Sequence, residues 1–221
     1  MKDLEKYIDH TLLKPEASLE SIKKLCDEAS KYGFCSVCVN SSYVKDAKEF
    51  LTNDDVKVCS VVGFPLGAMS SKAKAYEAKI ACEDGAKEID MVINVGWVKS
   101  KRFDLVEQDI KMLRDACEGA VLKVILETAL LSKDEIVKVC EICKKIKVDF
   151  VKTSTGFSSR GASLEDIETM KSVVKDEVKI KASGGIRDYK TAVAFIRAGA
   201  NRLGVSAGVE IIKGGVSNDI Y

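Results

Sequence analysis

The stretch Asp149-Phe-Val-Lys-Thr-Ser-Thr-Gly-Phe157 places a lysine inside an apolar run that reads as a buried strand. Burying an ammonium group without a partner is costly, so Lys152 is expected either to find an opposite charge or to lose its proton. A neutral lysine is a nucleophile that can attack a carbonyl and form a Schiff base. The simpler alternative is a strand lysine that reaches solvent at the edge of a sheet.

Two further apolar runs carry charges: residues 178–185 contain Lys181, and residues 89–94 contain Asp90. Because side chains alternate along a strand, we predict that Lys181 points inward, and that Asp90 and Asn94 do so too. A second cation near Lys152 would favour the neutral amine, while Asp90 could balance the other charge and carry protons. The alternative is a buried lysine–aspartate pair whose two charges only neutralise each other and take no part in chemistry.

Strand-like runs alternate with amphipathic helical segments along the whole chain, which predicts parallel strands linked by helices. An open sheet that binds a nucleotide usually carries a G-x-G-x-x-G turn after its first strand, and the chain has no such turn. We therefore predict an α/β fold, a single (β/α)8 TIM barrel that spans residues 1–221 and has a helical extension at the N-terminus. The eight predicted strands are 6–12, 34–40, 56–63, 87–94, 121–127, 149–154, 178–183 and 202–206. The predicted helices are 18–32, 43–51, 71–84, 103–117, 133–145, 164–175 and 189–198.

The fifth predicted strand adds two more inward-facing charges. Lys123 and Glu127 are four residues apart, so they share one face of that strand. We predict that Lys123 pairs with a neighbouring carboxylate lower in the barrel.

Composition limits the possible partners. The 35 basic and 34 acidic residues nearly cancel, which argues against a broad nucleic-acid-binding surface but allows a local pocket for a small anion. No apolar stretch approaches the roughly 20 residues that cross a bilayer, and the start lacks a signal-peptide core. We therefore expect a cytoplasmic protein that contacts neither nucleic acid nor membrane.

Two C-x-x-C spacings raise the question of a metal site. Cys35 and Cys38 lie in a strand, where residues three apart face opposite sides. Cys140 and Cys143 share a helix face, where cysteine more often packs as a small apolar residue. We predict no metal and no cofactor.

Glycines after the last two strands are typical of an anion pocket. Gly184 and Gly185 precede a helix opened by Asp188, and residues 204–208 precede another short helix. Backbone amides at such turns hold phosphate, although glycines also end strands for conformational reasons alone. His10, the single histidine, is predicted to be structural.

Six motifs in order closely resemble the deoxyribose-phosphate aldolase family over nearly the whole chain. They are Asp9-His-Thr-Leu-Leu-Lys-Pro15, Val37-Cys-Val-Asn40, Val61-Val-Gly-Phe-Pro-Leu-Gly-Ala68, Glu88-Ile-Asp-Met-Val-Ile-Asn94, Phe150-Val-Lys-Thr-Ser-Thr-Gly156 and Lys181-Ala-Ser-Gly-Gly-Ile-Arg187. The resemblance implies a metal-free class I aldolase that reversibly cleaves 2-deoxy-D-ribose 5-phosphate to acetaldehyde and D-glyceraldehyde 3-phosphate. It also implies a homo-oligomer, a dimer or a tetramer.

The resemblance also implies roles for individual residues. Lys152 would form the Schiff base, Lys181 would tune it, and Asp90 would transfer protons. The implied substrate contacts are Asp9 and Thr155 near the hydroxyls, Gly184, Gly185, Gly204 and Ser206 around the phosphate, and Gly156 as a further substrate-binding residue. Cys38 resembles a cysteine near the family's active site that can trap reactive aldehydes, and Tyr221 resembles a C-terminal tyrosine that reaches over the site.

Two positions depart from the family pattern. Phe157 stands where some members have a lysine, and Ala207 stands where many have a serine, so backbone amides are expected to carry more of the phosphate binding. Two other functions remain open: another class I Schiff-base aldolase acting on a different phosphorylated aldehyde, and a catalytically silent barrel that binds a sugar phosphate.

Overall fold

Eight parallel strands close into a barrel in the computed structural model, which describes residues 1–217. The closure is made by β1 and β8, where Ile8 pairs with Leu203 and His10 with Val205. This pairing confirms the predicted barrel and excludes an open sheet. The strands are β1 (Ile8–Thr11), β2 (Ser36–Val39), β3 (Lys57–Val62), β4 (Glu88–Val92), β5 (Val121–Ile125), β6 (Phe150–Lys152), β7 (Lys179–Ser183) and β8 (Arg202–Val205).

Helices cover the outside of the barrel and mostly begin at a capping side chain. Ser18, Ser70, Ser132, Ser163 and Asp188 each accept a hydrogen bond from a backbone N–H in the first turn of a helix, as expected of residues with a short polar side chain at this position. The helices are α1 (Leu19–Tyr32), α2 (Val44–Phe50), α3 (Ser71–Asp84), α4 (Val95–Lys99), α5 (Phe103–Ala116), α6 (Lys133–Ile146), α7 (Leu164–Val174), α8 (Tyr189–Ala198) and α9 (Gly208–Ile212).

The strands are mostly shorter than predicted, and two differences at the ends of elements change the account of the chain. The predicted N-terminal extension is a single 3₁₀ turn, Leu4–Tyr7. The prediction that Asn94 points into the barrel is wrong, because β4 ends at Val92 and the Asn94 side chain instead accepts a hydrogen bond from the Trp97 N–H at 3.2 Å. Asn94 therefore caps α4, a short helix that the apolar pattern did not reveal.

Most buried apolar side chains lie between the barrel and the helices, whereas the smaller cluster of Leu13, Cys38, Cys59 and Val61 forms a separate group. Cys140 and Cys143 are buried in the main core on α6, as predicted for small packing residues. None of the helices within residues 1–217 is long and apolar enough to cross a membrane.

A buried ion pair joins two of the outer helices. Lys74 on α3 pairs with Asp109 on α5, and its ammonium also donates to the carbonyls of Gly67 at 3.3 Å and Val92 at 3.1 Å. Burial lowers the pKa of Lys74 although Asp109 opposes this shift. The lysine thus ties the loop after β3 to the end of β4.

Asp109→Asn is expected to lower the free energy of unfolding by about 3–5 kcal/mol, because it leaves the buried Lys74 charge without its partner. Urea unfolding measures the change. The matched control is Asp27→Asn, which breaks the exposed pair between Lys23 and Asp27 and should cost less than about 1 kcal/mol. Equal losses in the two variants would show that the buried pair does not stabilise the fold.

Candidate active site

A cavity of about 210 Å³ opens at the carboxyl ends of the strands, where the loops after β6, β7 and β8 meet. Barrel enzymes carry their reacting groups at this end. Lys152 and Thr155 line the cavity together with five of the other residues predicted for the site, namely Gly156, Gly184, Gly185, Gly204 and Ser206.

Lys152, Asp90 and Lys181 meet at one oxygen atom. The ammonium nitrogens of Lys152 and Lys181 each lie 2.8 Å from Asp90 Oδ2. The register explains the meeting, since Lys152 and Lys181 are direct partners on neighbouring strands and Asp90 reaches them from β4 across the interior. The predicted convergence of these three side chains is therefore confirmed.

A second layer of charges lies beneath this trio. Lys123 contacts Asp90 Oδ1 at 2.7 Å and Glu88 at 2.6 Å, which confirms its predicted pairing. Arg202 contacts Asp9 at 2.6 Å and Glu88 at 3.1 Å. Sequence reasoning missed Glu88 and Arg202. Arg202 reaches Asp9 only because β8 pairs with β1, whereas Glu88 lies on β4 beside Lys123 of β5.

Asp9 lies within this lower layer. Its carboxylate contacts Lys181 at 2.5 Å and accepts the Ser36 hydroxyl at 2.7 Å, and the residue is fully buried. The structure thus places Asp9 as a support for Lys181. A direct contact between Asp9 and a substrate hydroxyl stays a prediction.

The charges fix the protonation of most of the cluster. Burial would raise the pKa of Asp90, but Lys123, Lys152 and Lys181 hold it well below its usual value, so the carboxylate is ionised. Burial opposes the charge of Lys181, but Asp9 and Asp90 raise the pKa of Lys181 above its usual value. Lys181 is therefore a permanent cation next to Lys152 at neutral pH.

The two residues directly after β7 are glycines whose backbone conformation disfavours a side chain. Gly184 and Gly185 have φ of 81° and 77°, and a Cβ on Gly184 would lie 2.8 Å from Gly161 Cα. Glycine is the residue that adopts this conformation without strain. Arg187 lines the same part of the cavity, and among the described residues its buried Nε has no hydrogen-bond partner.

Cys38, Cys59 and Asp90 each offer a metal-ligand atom within 4.8 Å of the others. However, the Lys123 ammonium already donates to Cys59 Sγ at 3.2 Å and to Asp90 Oδ1 at 2.7 Å, so a lysine cation already contacts two of the three ligand atoms. A hydrogen bond with Cys59 and the charge of Lys181 outweigh burial and lower the pKa of Cys38. The reaction of Cys38 with aldehydes stays a prediction. The predicted role of Tyr221 concerns a residue that lies outside the described residues.

Glu127 was predicted on the inner face of β5 but follows the end of the strand. Its backbone has φ of 57°, a conformation rare for residues other than glycine, and its side chain is buried. The carboxylate accepts the hydroxyl hydrogen bond of Thr155. The alternation of inward and outward side chains along a strand does not indicate where such a turn begins.

The chain is similar to known aldolases over nearly its whole length. The model of the DeoC/LacD family of aldolases matches residues 4–214. A deoxyribose-phosphate aldolase of Finegoldia magna is 58% identical over 212 residues, which cover 96% of this chain and 100% of that protein.

Solved structures are similar over the same length. The aldolase QR15 superimposes with a TM-score of 0.93 at 44% identity, covering 96% of each chain. A tetrameric deoxyribose phosphate aldolase from Aeropyrum pernix superimposes with a TM-score of 0.87 at 33% identity, covering 96% of this chain and 90% of that one.

Proposed function

This chain belongs to the DeoC/LacD family of aldolases, and we propose that it reversibly cleaves 2-deoxy-D-ribose 5-phosphate to D-glyceraldehyde 3-phosphate and acetaldehyde through a Schiff base on Lys152. The observation that carries the proposal is the position of the Lys152 amine. It lies in the cavity wall and shares one carboxylate oxygen with a second lysine.

The charge balance of the cluster supports Lys152 as the nucleophile. Four cationic side chains, Lys123, Lys152, Lys181 and Arg202, face three anionic ones, Asp9, Glu88 and Asp90. Release of one proton leaves the cluster balanced at three charges of each sign. Of the four cations, Lys152 is the one that lines the cavity, where a carbonyl can reach it.

In the forward reaction, the neutral Lys152 amine attacks the C1 aldehyde of the open-chain sugar. Asp90, hydrogen-bonded to both Lys152 and Lys181, moves a proton from the attacking nitrogen to the carbinolamine oxygen, which leaves as water as the iminium forms. The iminium then accepts the electrons of the C2–C3 bond as the C3 hydroxyl loses its proton. Glyceraldehyde 3-phosphate departs, and the enamine that remains is protonated at C2 and hydrolysed to acetaldehyde.

The phosphate is proposed to lie against the loops after β7 and β8, the usual anion site of the barrel fold. Gly156, Gly184, Gly185, Gly204 and Ser206 all line the cavity, and their backbone N–H groups are the proposed donors to the phosphate. The Arg187 guanidinium supplies a positive charge there, where Phe157 cannot.

Arg187→Ala is expected to raise KM for deoxyribose 5-phosphate about 10- to 100-fold, because a hydrogen bond to a charged group contributes ~1.5–3 kcal/mol. Steady-state kinetics with phosphorylated and unphosphorylated deoxyribose measure the effect, and only the phosphorylated sugar should respond. Arg197→Ala, an exposed arginine of α8, is the control. Equal losses for both sugars would remove Arg187 from the phosphate site.

The function is tested by supplying the purified protein with deoxyribose 5-phosphate and measuring acetaldehyde and glyceraldehyde 3-phosphate. Both products should appear in equal amounts. A panel of other phosphorylated aldehydes, offered with acetaldehyde as donor, distinguishes the proposed substrate from that of a related Schiff-base aldolase. Preference for a different phosphorylated aldehyde would replace the substrate assignment, and binding without turnover would favour a silent sugar-phosphate-binding barrel.

We also propose a homo-oligomer of two or four chains in the cytoplasm. The tetrameric aldolase from Aeropyrum pernix supports the assembly, and the charged sugar phosphate, which does not cross membranes unaided, supports the location. Analytical ultracentrifugation measures the assembly, and a monomer at micromolar concentration would contradict it.

A further inference from the structure

A buried carboxylate that contacts the cavity-lining residue Thr155 has no part in the mechanism above. Glu127 is 4% exposed and lies directly after β5. Backbone hydrogen bonds hold its neighbours against the reactive strand: the Leu126 N–H donates to the Lys152 carbonyl at 2.9 Å, and the Thr128 N–H donates to the Thr153 carbonyl at 2.9 Å. Glu127 is thereby fixed beside the segment that follows Lys152.

The contacts of Glu127 converge on Thr155. The Thr155 hydroxyl donates to Glu127 Oε2, and the Thr155 N–H lies 3.3 Å from both carboxylate oxygens. Buried carboxylates are usually neutralised by a cation. Within residues 1–217, the hydrogen bonds that the Glu127 carboxylate accepts come from one threonine. The left-handed backbone of Glu127 is a strained conformation of the kind that clusters at functional sites.

This arrangement fixes the direction of the threonine hydroxyl. Its single proton is committed to Glu127, and one acceptor position is taken by the Phe157 N–H at 3.0 Å. A hydroxyl oxygen accepts two hydrogen bonds, so the remaining lone pair is available to the cavity that Thr155 lines. Thr155 is therefore set to accept a hydrogen bond from a ligand hydroxyl.

We propose that Glu127 is a positioning residue that acts through Thr155. It orients the Thr155 hydroxyl so that this group accepts the hydrogen bond of the substrate C3 hydroxyl, and it receives a proton from Thr155 when the carbon–carbon bond breaks. The inference rests on the proposed aldolase function. In this step the C3 O–H proton passes to Thr155 Oγ1 as the Thr155 proton passes to Glu127. The O–H electron pair forms the C3 carbonyl, and the C2–C3 pair moves to the enamine and neutralises the iminium nitrogen.

The surroundings of Glu127 suit a carboxylate that gains and loses a proton. Burial raises its pKa, against the hydrogen bonds from Thr155 and the charges of Lys152 and Arg160. Arg160 donates directly to Asp166 at 2.5 and 3.1 Å, so its charge reaches Glu127 only from a distance. The proton taken up in cleavage returns along the same path in the reverse reaction.

Two reactions of the same enzyme separate this role from a structural one. Exchange of the acetaldehyde methyl protons with deuterated water requires the Schiff base and the enamine but no C3 hydroxyl. Cleavage of deoxyribose 5-phosphate requires all three. We expect Glu127→Gln to lower kcat for cleavage about 100-fold or more, as for loss of a general base, and to change the exchange rate less than about threefold.

Three further variants complete the test. Thr155→Val should lose cleavage to the same extent, and adding Glu127→Gln to it should cause no further loss, since both act on one path. Glu127→Gly relieves the left-handed backbone and keeps the fold, yet should lose cleavage in the same way. Glu118→Gln, an exposed carboxylate beyond α5, is the matched control with unchanged rates.

The outcomes are distinct. Cleavage by Glu127→Gln within about threefold of the original rate would overturn the inference and leave the aldolase function intact. Equal loss of exchange and cleavage, or additive losses in the double variant, would also overturn it in favour of a purely structural role. An unmodified protein that performs neither reaction would overturn the proposed function, and this inference with it.

Discussion

Lys152→Ala is expected to lower kcat for deoxyribose 5-phosphate cleavage by at least ~10⁴-fold, because the covalent route disappears with the amine. The fold should persist. Asp90 keeps Lys123 at 2.7 Å and Lys181 at 2.8 Å after the change, so its buried charge remains paired. Circular dichroism and urea unfolding report the fold, and product formation reports the loss.

Two companion variants make the result specific. Lys152→Arg keeps a positive charge but cannot form a Schiff base, and it should be as inactive as the alanine variant. Lys179→Ala removes an exposed lysine at the other end of the neighbouring strand and should leave turnover unchanged. Substantial activity in Lys152→Arg would show that the charge, and not the nucleophile, is what the reaction needs.

Lys181→Leu is expected to reduce activity strongly and to move the pH optimum upward. Asp9 and Asp90 raise the pKa of Lys181, so it is a fixed cation that disfavours a second proton nearby. Without this charge the cluster keeps three cations, Lys123, Lys152 and Arg202, against its three carboxylates, so the excess positive charge that favours a neutral amine is gone and the activity is expected at more alkaline pH. The rate profile of kcat/KM against pH measures the shift.

The matched variant for Lys181 is Lys181→Arg, which keeps the charge and should keep the pH profile even where the bulkier group reduces the rate. Asp9 retains Arg202 at 2.6 Å and Ser36 at 2.7 Å in the leucine variant, so loss of that carboxylate's support is not the cause of the shift. An unchanged profile in Lys181→Leu would remove its tuning role.

The alternation of side chains along strands was enough to predict the central trio. Asp90 and Lys181 were assigned inward by parity alone, and the register of the barrel brings both to Lys152 as expected. The alternation of strands and helices predicts parallel strands, and the missing G-x-G-x-x-G turn favours the barrel over an open sheet. These features depend on local periodicity, which the chain displays directly.

The remaining features depend on the closure of the barrel between β1 and β8 and on where each strand ends. The periodicity of apolar residues in the sequence encodes neither. Arg202 meets Asp9 across 193 positions because β8 pairs with β1. Asn94 and Glu127 each lie just beyond a strand, where the alternation stops; one becomes a helix cap and the other adopts a left-handed turn. Strand ends are set by tertiary packing, so their residues are the hardest to place from the pattern.

The most direct test of the central claim is borohydride reduction in the presence of acetaldehyde, followed by mass spectrometry of the peptides. Reduction of the Schiff base leaves an ethyl group on the reacting lysine. The label is expected on Lys152, and it should disappear in Lys152→Arg. A label on another lysine, or no label in enzyme that turns over substrate, would contradict the assignment of Lys152 as the covalent nucleophile.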